Sequence, residues 1–107
     1  MTTFDKREEA FEKKFALDEQ QKFRVDVRRN RLLGLWAAER LGMAGDAAAA
    51  YAKDVVAADL EEAGDGDLVR KLLGDLSSKG VPVTEELIRA KINEFAARAA
   101  AEVKAGI

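Results

Sequence analysis

Three short breaks divide this chain into four segments, and each segment repeats its large apolar residues at helical spacing. The breaks lie at residues 42–45, 64–67 and 80–83, and the last contains Pro82, the only proline. Glycine adopts the left-handed backbone conformation that ends many helices, and proline cannot continue one. The pattern therefore predicts four helices joined by short connections.

The same breaks carry the residue types that cap helices. The first helix is expected to end at Gly42 or Gly45, and Asp46, Asp65 and Thr84 are placed as the N-caps of the next three. Gly34 interrupts the first helix, where glycine costs about 1 kcal/mol relative to alanine, so it predicts close approach of another helix. The predicted core comprises Val25, Leu32, Leu33, Trp36, Met43, Tyr51, Val55, Val56, Leu60, Leu68, Val69, Leu72, Leu73, Leu76, Leu87, Ile88, Ile92, Phe95, Ala99 and Val103.

Composition agrees with an all-α fold. Apolar residues make up 48% of the 107 residues, much of that share is alanine, and alternating β-branched runs are missing. The expected architecture is a four-helix bundle over residues 21–107, with a mobile or extended helical amino-terminal arm over residues 1–20. The chain has no cysteine and no histidine, which removes thiolate, imidazole and structural zinc chemistry. We expect no metal, no cofactor and no enzymatic activity.

Charge and hydropathy exclude two further classes of partner. The net charge of −2 argues against a general nucleic-acid binder. No apolar stretch approaches the roughly 18 residues of a membrane span, and the first residues do not resemble a signal peptide. We expect a cytoplasmic protein without direct membrane insertion, monomeric when free.

The arm carries a narrow aromatic stripe. Phe4, Phe11 and Phe15 would lie within about 40° of one another on a helix, in a segment otherwise dominated by charged and polar residues. Such a stripe is too thin to form a core and suits a helix that binds in a groove of another protein. The alternative is that the arm folds back and lays Phe11 and Phe15 on the bundle.

A dense basic cluster, Arg28, Arg29 and Arg31, has two interpretations. These guanidinium groups could hold an anion such as a nucleotide phosphate or an acidic protein surface. The alternative, which composition favours, is that they form the solvated flank of a helix whose apolar face includes Val25, Leu32 and Trp36.

Beyond these patterns, the sequence resembles the zeta subunit of alpha-proteobacterial F-type ATP synthases over nearly its whole length. The specific part of the resemblance is residues 28–38, which read Arg28-Arg29-Asn30-Arg31-Leu32-Leu33-Gly34-Leu35-Trp36-Ala37-Ala38. The opening Met1-Thr2-Thr3-Phe4-Asp5, residues 14–19 and the stretch Thr84-Glu85-Glu86-Leu87-Ile88-Arg89-Ala90-Lys91 are also similar to that family.

The resemblance implies a small all-α inhibitor of ATP hydrolysis, peripheral to the membrane-bound enzyme. Its amino-terminal segment would become helical and insert between an alpha and a beta subunit of the catalytic head, with residues from about 2 to 17 as the inhibitory element. In this hypothesis the anchors are Phe4, Phe11 and Phe15, and the basic side chains that meet the partner are Lys6, Arg7, Lys13 and Lys14. The second hypothesis is a helical domain that binds a small anionic ligand through Arg28, Arg29 and Arg31.

Overall fold

Four helices make up the computed structural model of this protein, which describes residues 18–60 and 64–107 except for the side chain of Leu60. They are α1 (Glu19–Arg40), α2 (Gly45–Leu60), α3 (Gly66–Ser78) and α4 (Glu85–Ala105), and the described residues contain no strand. The predicted all-α, four-helix fold is confirmed. The predicted mobile arm lies outside the described residues except for residues 18–20, of which Glu19 and Gln20 belong to α1.

Local signals explain where α1 ends and where α4 begins. Gly42 has φ of +80°, and Met43 N donates to the carbonyl oxygen of Ala38 at 2.9 Å, so Gly42 ends α1 in a Schellman motif. At the start of α4, Thr84 Oγ1 accepts from Leu87 N at 3.1 Å, which confirms the predicted cap.

Two predicted caps are wrong in detail. Asp46 is not an N-cap, because α2 already begins at Gly45 and Asp46 lies in its first turn, where an acidic residue still favours the positive helix end. Asp65 occupies the N-cap position of α3, but its side chain makes no capping hydrogen bond. Its carboxylate instead accepts a hydrogen bond from Arg29 of α1.

The core lies where α1, α2, α3 and α4 meet. Its largest fully buried apolar side chains come from all four helices: Leu33, Val55, Leu68, Leu72, Leu76 and Ile88. Helix α1 packs along both α2 and α4, while α3 closes the bundle mainly against α2 and α4. A hydrogen bond of 2.8 Å from Tyr51 Oη to Asp75 links α2 to α3, and burial of Tyr51 raises the pKa of its hydroxyl.

The buried face of α1 is built from smaller residues than its apolar stripe predicts. Gly34, Ala37 and Ala38 are buried beside Leu33, whereas Leu32, Trp36 and Met43 are only partly buried. A Cβ atom on Gly34 would lie 2.7 Å from Ala52 Cα, so the predicted close approach of another helix is confirmed, and that helix is α2. Because small residues occupy the closest contact, the larger ones lie toward the edges of the core.

Trp36 illustrates this displacement. It packs against the core cluster, as its spacing predicts, but it remains partly exposed at the edge. The guanidinium of Arg40 and the ammonium of Lys91 lie 4.9 and 5.9 Å from its ring centroid. The ring therefore joins α1 to α4 through its face as well as through apolar contact.

None of the four described helices combines the length and the hydropathy that a membrane span requires.

Candidate functional site

The predicted partner-binding residues precede the first described residue. Phe4, Lys6, Arg7, Phe11, Lys13, Lys14 and Phe15 all lie outside the described part of the chain. What the structure defines is the point to which they are attached, the start of α1, and the surface that surrounds this point.

Helix α1 begins with a capping box. Asp18 Oδ1 accepts from Gln21 N at 2.7 Å, and Asp18 N donates to Gln21 Oε1 at 3.2 Å. The backbone of Asp18 is extended, with φ of −73° and ψ of 172°, so α1 does not continue through it. The structure places the N-cap of the first described helix at Asp18, two residues before the predicted end of the arm at residue 20.

The basic cluster of α1 is divided among different neighbours. Arg28 Nε donates to Glu102 Oε1 at 2.8 Å, and Arg28 Nη1 donates to the backbone oxygen of Ile107 at 2.6 Å. Arg98 also donates to Glu102, at 3.2 Å. The hydrogen bond from Arg28, with that from Arg98 second, lowers the pKa of the Glu102 carboxyl below its usual range. Arg28 therefore fastens α1 to the last turn of α4.

Arg29 faces the other side of α1 and takes part in a polar network. It donates to Asn30 Oδ1 at 3.0 Å, Asp59 Oδ2 at 3.2 Å and Asp65 Oδ1 at 3.3 Å. Asn30, which is 1% exposed, donates to Asp59 at 2.7 Å and is the only buried polar residue of the described chain. The network joins α1 to the end of α2 and the start of α3, and no pattern in the sequence predicts this role for Asn30.

Arg31 is the exposed member of the cluster and has no carboxylate partner within the described residues. It borders two surface cavities, of about 560 Å³ between α1 and α4 and about 360 Å³ between α1 and α2. The anion-binding role of Arg28, Arg29 and Arg31 stays a prediction. An anion that used all three would have to displace Glu102 from Arg28 and Asp59 and Asp65 from Arg29.

The larger cavity is a groove that was not predicted from the sequence, and we call it the α1–α4 groove. Its apolar walls are Phe23, Val27 and Leu35 of α1 with Val103 and Ile107 at the end of α4. One signal was available in the sequence. Phe23 is two residues from the buried Val25, which places the two side chains on nearly opposite faces of a helix, and Phe23 is 56% exposed.

The described residues contain no cluster of acidic side chains that could hold a metal ion. The groups that this surface offers are guanidinium side chains, an apolar groove and the start of a helix.

Comparison with known proteins identifies a family that the chain matches over most of its length. The family described as ATPase inhibitor subunit zeta matches residues 1–102 of the chain. A structure described as a solution NMR structure is 48% identical in sequence and superimposes with a TM-score of 0.71. That match covers 80% of this chain and 98% of the other. No curated protein sequence matches the chain.

Proposed function

The chain belongs to the ATPase inhibitor subunit zeta family, and we propose that it blocks ATP hydrolysis by inserting its arm as a helix between an alpha and a beta subunit of the F-type catalytic head. The family is regulatory and not catalytic. The observation that carries the proposal is that the family match begins at residue 1 and so includes the arm with its aromatic stripe.

The proposal divides the molecule into a binding arm, residues 1–20, and a four-helix domain, residues 21–107. The capping box supports a division close to this point, since Asp18 starts α1 independently of any preceding helix. A truncated protein should therefore begin at Asp18 and not at residue 21, because removing Asp18 would leave the first amides of α1 without their cap.

Arm energetics favour modest affinity. Burial of Phe4, Phe11 and Phe15 contributes roughly 5–9 kcal/mol. Ordering about 15 backbone residues costs an amount of the same order or more, at roughly 1–2 kcal/mol each. Contacts of Lys6, Arg7, Lys13 and Lys14 with an acidic or carbonyl-rich surface supply the remaining stabilisation, so inhibition should weaken as salt concentration rises.

The double substitution Phe11→Ala/Phe15→Ala tests the anchors. Each truncation should cost on the order of 2 kcal/mol of binding, about 30-fold in affinity. The measurement is ATP hydrolysis by the purified cognate catalytic head as a function of inhibitor concentration, and circular dichroism checks that the variant still melts cooperatively. If the double variant inhibits like the wild type, the arm is not the inhibitory element.

A matched pair of charge variants tests the basic side chains. Lys13→Ala/Lys14→Ala should raise the concentration needed for inhibition and flatten its salt dependence. Lys53→Ala/Lys79→Ala removes two exposed lysines from the body and leaves the arm intact. Equal effects of the two pairs would mean that only net charge matters, and that the arm has no special contact with the enzyme.

A further inference from the structure

The exposed apolar surface of the described chain is concentrated in one place. The large hydrophobic side chains that remain exposed are Phe23, Leu35 and Ile107, at 56%, 37% and 73%, and all three line the α1–α4 groove. Exposed apolar residues that are scattered singly are normal, whereas three of them gathered in one groove with a polar rim form a candidate binding surface.

The rim of the groove is basic. It carries Arg24, Arg28, Arg31 and Arg98 against a single acidic side chain, Glu102. Glu102 is shared by Arg28 and Arg98, and within the described residues Arg24 and Arg31 have no carboxylate partner. On a protein of net charge −2, this is a local excess of positive charge. The groove is therefore complementary to an amphipathic helix with an acidic flank.

The segment that precedes α1 has this pattern. On a helix, its acidic residues would all follow the aromatic stripe on one side, within about 100° of one another: Asp5, Glu8, Glu9 and Glu12. Its basic residues would lie on the other side: Lys6, Arg7, Lys13 and Lys14. The acidic flank matches the arginine rim, and the stripe matches the apolar walls.

The length of the arm and its point of attachment to α1 also fit the α1–α4 groove. Phe4 and Phe15 would be about 16 Å apart on a helix, and Phe23 and Leu35 are about 18 Å apart along α1, at 1.5 Å per residue. The chain enters α1 at Asp18, five residues before Phe23, and its backbone is extended there. An arm that reverses at this point would run antiparallel to α1, with Phe15 beside Phe23 and Phe4 beside Leu35.

We infer that residues 1–17 dock as a helix in the α1–α4 groove of the free protein, with their phenylalanines on its apolar walls and their acidic flank on Arg24 and Arg31. Because arm and groove are tethered, the effective concentration is of the order of millimolar, and a weak contact suffices. This is the folded-back arrangement that the sequence left open, now with a specific receptor surface.

Docking would regulate inhibition, a consequence that rests on the proposed function. The same phenylalanines cannot be buried in the groove and in the ATPase at once. An arm that is docked nine-tenths of the time would bind the enzyme about tenfold more weakly than a free arm. The two flanks would then have separate roles, the acidic one for the groove and the basic one for the enzyme.

Paramagnetic relaxation in the full chain tests the docking directly. Since the chain has no cysteine, Thr3→Cys gives a single site for a nitroxide spin label. Docking predicts strong broadening of amide signals near Leu35 and Ile107, with much weaker effects on α3. Broadening that is uniform over the surface, or absent from the groove, would overturn the inference.

Charge reversal makes the test specific. Arg24→Glu/Arg31→Glu should abolish the broadening near Leu35, and adding Glu8→Arg/Glu12→Arg should restore it. The control is Arg89→Glu, an exposed arginine of α4 that does not line the groove and that should leave the broadening unchanged. If the control removes the broadening as completely as the double variant, the groove is not the receptor.

Two further measurements separate the alternatives. Mixing spin-labelled protein with isotope-labelled, nitroxide-free protein would show broadening if a second copy occupied the groove, and that result would overturn intramolecular docking. In the ATPase assay, Arg24→Glu/Arg31→Glu should inhibit at up to about tenfold lower concentration than the wild type. Lack of inhibition by every variant, the wild type included, would refute the proposed function. The broadening would still test the docking of the arm, because it does not depend on the ATPase.

Discussion

Helix α1 packs against two neighbours in opposite ways. Toward α2 it presents Gly34, and the backbones come so close that a Cβ there would lie 2.7 Å from Ala52 Cα and 3.2 Å from Val55 Cβ. Toward the end of α4 it presents Phe23 and Leu35, which remain exposed beside a groove of about 560 Å³. We call these the tight seam and the open seam.

Side-chain size on one helix therefore decides which of its faces is structural and which is available to bind. Small residues let two backbones approach and exclude water, so the apolar surface of the tight seam is buried inside the protein. Large residues without an opposing partner keep a groove open. Polar contacts span both seams: Asn30 and Arg29 donate to Asp59 in the first, and Arg28 donates to Glu102 and to the backbone oxygen of Ile107 in the second.

The largest expected effect comes from truncating a leucine on the core side of α1. Leu33 is fully buried, so Leu33→Ala should cost about 2–5 kcal/mol of unfolding free energy, from lost burial and the cavity that remains. Leu35→Ala, two residues away on the open seam, should cost less than about 1 kcal/mol. Urea denaturation of both variants measures this difference, and similar costs would mean that Leu35 is packed as tightly as Leu33.

Next in size is the effect of one methyl group in the tight seam. Gly34→Ala should destabilise by about 1–3 kcal/mol, because the new Cβ meets backbone and the gain in helix propensity is smaller than the clash. Gly74→Ala is the matched control, since no heavy atom lies within 4 Å of its added Cβ; it should stabilise by up to about 1 kcal/mol. Thermal melting of the two variants should shift in opposite directions, and a shift of the same sign would contradict close packing at Gly34.

A smaller effect is expected at the polar end of the tight seam. Asn30→Ala removes a buried donor to Asp59 and a buried acceptor for Arg29, at a cost of about 1–2 kcal/mol. Asn93→Ala, on an exposed position of α4, should change the unfolding free energy very little. If the two asparagine variants unfold at the same urea concentration, the network contributes nothing to stability.

The smallest expected effect is a pH dependence at the open seam. Glu102 has a lowered pKa in the folded protein, so its contribution to stability is present above the ordinary glutamate pKa of about 4.3 and is lost as pH falls through the lower folded value. Glu102→Gln should therefore differ from the wild type near neutral pH and converge with it in acid. Denaturation at several pH values, with Glu86→Gln as an exposed control, measures this; a gap that widens in acid would show the opposite sign.

Local signals account for what the sequence predicted correctly. Four helical segments, the end of α1 at Gly42 and the cap at Thr84 all depend on residues within one or two turns of each other. Gly34 was also informative, because an unfavourable residue inside a helix implies a compensating contact, although the sequence could not identify the partner as Ala52.

Errors and omissions occurred where distant residues compete for a side chain. Asp65 has the sequence context of an N-cap, yet Arg29, 36 residues earlier, uses its carboxylate. Arg28 looked like part of an anion site, yet it pairs with Glu102, 74 residues later. The burial of Asn30 was not predicted, because it depends on how α1 packs against α2, which no local pattern reveals.

The sequence by itself determined the helices, their order and the charge and aromatic pattern of the arm, because periodicity and capping act over a few residues. Only the tertiary structure decided which face of α1 closes and which stays open, since that depends on the sizes of side chains that meet from different helices. It therefore also decided that Phe23, Leu35 and Arg31 share one groove, close to the point where the arm joins α1. The docking that we infer for the arm depends on this surface, because the sequence of the arm alone does not identify a receptor.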